Sequence, residues 1–140
     1  MSKIKDSELN VSQEVLADLM RALESLESST DLEGTAIVSK TGLRVASSET
    51  ADIVADIYSA SPATLISLGE KISQGLNQGE LREILIRGTS GYTIILVGGE
   101  DNEFMLFTNC KKAFKLGYYV HKLKKAFQIM EPILKEIALK

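Results

Sequence analysis

The chain has 140 residues, 44% apolar and 25% charged, with two prolines, ten glycines and one cysteine, which is a globular composition and excludes fibrous or disordered chains. A single domain of this length buries roughly 68–70% of the surface its unfolded chain exposes, so a hydrophobic core can hold it without metals or disulfides. The net charge of −3 conceals an asymmetry: residues 1–110 carry 8 Lys/Arg against 17 Asp/Glu, and residues 111–140 carry 8 Lys against 2 Glu. A basic end on an acidic body suits either an acidic partner surface or a solvated face lying against its own body.

Residues 1–10 are expected to be a flexible segment and residues 11–140 one domain, because no repeat, low-complexity tract or linker interrupts the pattern. The first helix is expected at about 11–28. Asn10 or Ser12 can cap it. Leu16, Leu19, Met20, Leu23 and Leu26 recur at spacings of three and four and form one apolar face.

Two strands follow, Glu33–Ser39 and Leu43–Ser48, joined by Lys40-Thr41-Gly42, where the glycine accommodates the positive φ of a tight hairpin. A second helix falls between about 53 and 77. Pro62 cannot donate to a preceding carbonyl, so this helix either begins with Ser61 as cap and Pro62 as its first residue, or begins near Asp56 and bends. Leu65, Leu68, Ile72 and Leu76 form its main stripe, which is expected to cover the core. Three strands then form a meander at about 80–87, 92–98 and 103–109. The short turns between them imply antiparallel pairing.

The last helix, about 113–138, places Leu116, Tyr119, Val120, Leu123, Phe127, Met130, Leu134 and Ile137 on one face. The order helix, two strands, helix, three strands, helix makes an α+β fold: a three-layer α/β/α sandwich around a five-stranded antiparallel sheet.

Sites for chemistry are sparse. The glycines at 88, 91, 98 and 99 lie between strands, whereas a phosphate loop needs them between a strand and a helix. His121, the single histidine, lies nearly opposite the apolar stripe of the last helix and should be exposed. One His and one Cys cannot supply four zinc ligands. Cys110 precedes Lys111-Lys112, which could lower its pKa, but a lone cysteine is more often a small core residue. The carboxylates Glu80/Glu83 and Glu100/Asp101/Glu103 sit at strand ends or turns, where nothing desolvates them. The lysines between 111 and 125 come without arginine or outward aromatics apart from Tyr118, so nucleic acid is not an expected partner. Lys111, Lys112 and Lys115 leave an anionic membrane surface as a minor alternative. No catalytic residue, metal or cofactor is expected. The charged start Met1–Asp6, the lone cysteine and the absence of any apolar run near ~20 residues point to the cytoplasm.

A second stripe on the second helix is more informative. Ser59, Pro62, Ile66, Gly69 and Ser73 recur at spacings of three and four, a seam of mostly small residues that would let another backbone approach, either that of a second molecule or the chain's own sheet. The following strand carries apolar residues on both faces, Ile84 and Ile86 among them. A bare apolar edge strand invites pairing, so the seam and this strand are together expected to form an isologous two-fold interface.

Leu32–Ser48, Gly91–Gly98 and Lys115-Leu116-Gly117-Tyr118-Tyr119, in this order and spacing, resemble the Roadblock (dynein light-chain) family in its prokaryotic form. The first piece looks like the family's first hairpin, and the last like the glycine-marked start of its final helix. The resemblance covers roughly residues 11–137. It implies a profilin-like or longin-like sandwich, and dimers in which the second helix and third strand pair with their copies. It also implies a non-enzymatic scaffold or regulator of small Ras-like GTPases, acting in some members as a platform for GTP hydrolysis. A structural adaptor in a larger, dynein-like assembly, without GTPase contact, is the alternative.

Overall fold

The computed structural model describes residues 9–51, 57, 60–99, 102–111 and 116–139. The elements in chain order are β1 (Leu9–Asn10), α1 (Gln13–Ser28), β2 (Glu33–Ser39), β3 (Arg44–Ser47), α2 (Ala60–Gly75), β4 (Glu83–Arg87), β5 (Tyr92–Gly98), β6 (Phe104–Cys110), α3 (Leu116–Leu134) and β7 (Ala138–Leu139). The five-stranded antiparallel sheet has the order β3-β2-β6-β5-β4, and β1 pairs with β7 in a separate two-stranded ladder. Leu9–Asn10, expected to be part of a flexible segment, is therefore paired strand.

Of the two candidate caps, Ser12 caps α1. Its hydroxyl accepts from the Val15 amide at 3.1 Å, three residues on, which satisfies one of the orphan donors of the first turn. The hairpin from β2 to β3 turns at Gly42, whose φ of +96° a Cβ would strain. The described helix α2 starts at Ala60, with Pro62 in its first turn. There the missing N–H would have no intrahelical partner in any case. Pro132 lies within α3, two residues before its end.

The apolar strands alternate between two cores, and this explains their nearly unbroken hydrophobicity. Ile37, Ile94, Leu96, Phe104 and Leu106 face α1 and α3; Ala36, Val38, Ile95, Val97, Met105 and Phe107 face α2. A strand covered on both sides needs no polar face. The stripe expected on α3 is buried at Tyr119, Leu123, Phe127, Met130 and Leu134. On α1, Leu19, Leu23 and Leu26 are buried, with Leu16 and Met20 packed at the margin.

Buried polar groups are matched. Thr35 and Thr108 share a hydroxyl hydrogen bond of 2.9 Å. The carboxylate of Glu27, near the end of α1, accepts from the Thr35 amide at 2.9 Å, the Ser48 hydroxyl at 2.7 Å and the Thr50 hydroxyl at 2.8 Å. One side chain thereby ties the helix to the hairpin and the turn after it, as charge-assisted bonds can.

Candidate interaction surface

No group of His, Cys, Asp and Glu among the described residues could hold a metal ion. His121 is exposed on α3. Glu80 is exposed and lies 3.8 Å from Arg82, a surface pair; Glu100 and Asp101 lie outside the described residues. Lys111 reaches 4.0 Å from Glu33 with its side chain largely in solvent, while Lys112 and Lys115 lie outside the described residues. No described helix is long and apolar enough to cross a membrane.

Cys110 is 1% exposed, at the end of β6. Burial first, and then the Asp31 and Glu33 carboxylates, push its thiol up. This is the reverse of lysine activation, and it leaves a buried thiol rather than a nucleophile. Tyr119 is raised likewise, by burial and by its hydroxyl donating to Asp31 at 3.2 Å. The native thiol stays protonated where an unfolded one ionises, above about pH 8.5. The stability tied to it is therefore fully present below that pH and is lost as pH rises toward the folded value. Native protein at pH 8 should react with a thiol reagent at least about a hundredfold more slowly than denatured protein. Equally fast labelling in both states would show that the thiol is accessible.

The sequence-derived interface residues sort differently from expectation. Ser59 lies outside the described residues. Pro62, Ile66 and Ser73 are buried, and Ile66, at 1% exposure, packs with sheet residues of the α2-side core. Gly69 faces the same way, since a Cβ there would come within 3.0 Å of Leu81 Cδ2 and 3.2 Å of Ile84 Cδ1. The described part of the small-residue seam therefore lies on the inner face of α2, a correction to its assignment as a surface between molecules. The reason is steric. A helix laid flat on a sheet must bring small side chains to the closest point, and Ser73 satisfies its hydroxyl locally by donating to the Gly79 carbonyl at 2.7 Å.

The stripe expected to cover the core turns outward instead. Of its four residues only Leu65 packs against the α2-side core, at its margin. Leu68, Ile72 and Leu76 are 52%, 60% and 64% exposed. Four residues apart, they lie one above another on a single face of the helix. The sequence pattern placed them inward because both stripes are apolar. The size difference between Gly69/Ser73 and Leu68/Ile72/Leu76 was the available signal.

The edge strand adjoins this surface. Among the described residues β4 pairs with β5 alone and is the last strand of the sheet. Ile84 and Ile86 stand opposite Ile95 and Thr93, on the α2 side, and Leu85 stands opposite Ile94 on the other. Ile84 is half-buried, whereas Leu85 and Ile86 are exposed. The other edge strand, β3, is four residues long with its central Val45 and Ala46 buried. The two edges thus differ among the described residues: the central side chains of β3 are buried, and those of β4 are exposed or half-buried and apolar.

Among the described residues the molecule is an α+β fold, a five-stranded antiparallel sheet with three helices, that leaves an apolar face of α2 exposed beside the edge strand β4. Residues 19–107 match the Roadblock/LC7 domain, and the chain belongs to that family. Solved structures agree on the fold. MglB of Myxococcus xanthus superposes with a TM-score of 0.74 at 15% identity, over 91% of this chain and 95% of that one. The gliding protein MglB of Thermus thermophilus gives 0.76 at 15%, over 93% and 98%. A Roadblock/LC7 domain from Streptomyces avermitilis gives 0.68 at 14%, over 90% and 99%. No curated protein sequence matches the chain.

Proposed function

We propose that the protein is a non-catalytic homodimeric platform for a small Ras-like GTPase, working in the cytoplasm and able to modulate GTP hydrolysis by its partner. The observation that carries the dimer is the outward stripe Leu68, Ile72 and Leu76 beside the bare edge of β4. Three large aliphatic side chains open to water on one helix face form the kind of patch that marks an interface. A second copy related by a two-fold axis covers it with the same residues. Antiparallel pairing of β4 with its copy, through the backbone edge that carries Ile84 and Ile86, continues the sheet across both subunits. Membership of the Roadblock/LC7 family supports the GTPase as partner.

The test is to mix the protein with Ras-like GTPases from the same source, each loaded with GDP or with a non-hydrolysable GTP analogue. Co-elution with at least one GTPase, preferring one nucleotide state, is the expected result. Absence of co-elution and of any change in hydrolysis across the whole set removes the GTPase role. A pull-down returning only other proteins would then support the structural adaptor reading.

A further inference from the structure

The side of the sheet away from α2 carries a second surface, independent of the dimer reading. β1, just before α1, pairs with β7, just after α3, and Tyr119 at the start of α3 reaches Asp31 just beyond α1. The two helices therefore run antiparallel. Between them lies a groove of about 290 Å³. Its floor is Leu26, and the small side chains Ala22, Ser25 and Ala126 keep its walls low. Lys122 and Lys125 line it from α3, and Ile129, at its end, is 67% exposed.

The charge of this groove runs against the rest of the molecule. No carboxylate is among its lining residues, although the chain has 19 Asp and Glu. Neither Lys122 nor Lys125 forms an ion pair with any described residue. The Lys122 ammonium instead lies over the Tyr118 ring, 5.6 Å from its centroid. Tyr118, Lys122, Lys125 and Ile129 are spaced four, three and four apart and share one face of α3. At 1.5 Å per residue, the aromatic and aliphatic ends of this row are roughly 16 Å apart with two cations between them.

We propose that the α1–α3 groove docks an acidic amphipathic helix of a partner protein. Two adjacent helices leave a channel that takes the side-chain ridge of a third. A ligand helix of about three turns would set apolar residues near Tyr118 and Ile129 and carboxylates against Lys122 and Lys125. The cations give charge complementarity, and the apolar floor supplies the burial. An anionic membrane fits less well: the channel is concave and presents two cations, whereas peripheral membrane attachment uses clusters of about 4–8.

The experiment titrates ¹⁵N-labelled full-length protein with a synthetic peptide of about fifteen residues that is leucine on one helical face and glutamate on the flanks. Saturable amide shifts confined to Ala22, Ser25, Lys122, Lys125 and Ala126 are expected. The double variant Lys122→Glu with Lys125→Glu should bind about tenfold more weakly or worse, and Ile129→Asp should weaken binding too, all without change in oligomeric state. Equal binding of a lysine-flanked version of the peptide, shifts centred on α2, or unchanged affinity in the double variant would overturn the proposal. So would capture of the protein by phosphatidylserine vesicles with no response to the peptide. Each of these readouts stands whether or not α2 forms a dimer.

Discussion

Ile72→Glu is expected to convert the protein into a folded, soluble monomer. Ile72 is 60% exposed in the single chain, so a glutamate there meets water and should leave the fold within about 0.5 kcal/mol of wild type. In the proposed dimer the two-fold axis would place two such carboxylates within one apolar contact, and the effective penalty of an uncompensated buried charge is several kcal/mol per ion. The dissociation constant should rise by more than about a hundredfold, since each 1.4 kcal/mol is tenfold. Sedimentation should report the monomer mass while circular dichroism and the melting temperature stay near wild type. Ile66 is the contrast. At 1% exposure it lies beneath the helix, so Ile66→Arg should unfold the chain rather than separate two intact copies. If the effects were interchanged, Ile66→Arg giving a stable monomer and Ile72→Glu collapsing the fold, the inward and outward faces of α2 would be assigned backwards.

The second large effect is expected from Phe127→Ala. Phe127 is 3% exposed and belongs to the core beneath α1 and α3. Its ring presses so closely on β5 that a Cβ on Gly98 would lie 2.9 Å from Cε2. Truncating a buried Phe to Ala costs about 3–5 kcal/mol, from lost transfer energy and the cavity left behind. Against a total stability of about 5–15 kcal/mol this is a large fraction. The melting temperature should drop by roughly 10–15 °C. A drop of only a degree or two would mean that the space refills or that the ring is not buried.

Much of the fold is legible in the residues because local periodicity and burial agree. β2 spans Glu33–Ser39 as expected, and the α3 stripe from Tyr119 to Leu134 is the buried one. The strand order was not legible. The insertion of β6 between β2 and β5 joins residues about 70 positions apart, such as Ile37 and Leu106. No local pattern encodes such a pairing. The β1–β7 ladder, two residues on each side, is too short to leave a pattern at all.

The candidate surface was half legible. β4 is the edge strand that a meander suggests. On α2 the faces were exchanged, because hydrophobicity alone does not tell which of two apolar stripes lies down on the sheet. The closeness of Gly69 to Leu81 and Ile84 decides it, and that closeness is a property of packing. Cys110 shows the converse: neighbouring lysines in sequence suggest activation, but the groups near it in space are Asp31 and Glu33.

The most direct test is the solution mass of the wild-type protein at micromolar concentration, by light scattering or sedimentation. In the proposed dimer a second copy covers the stripe on α2 and the edge of β4, so about twice the chain mass of 15.3 kDa is expected. A single 15.3 kDa species that persists as concentration rises would contradict it.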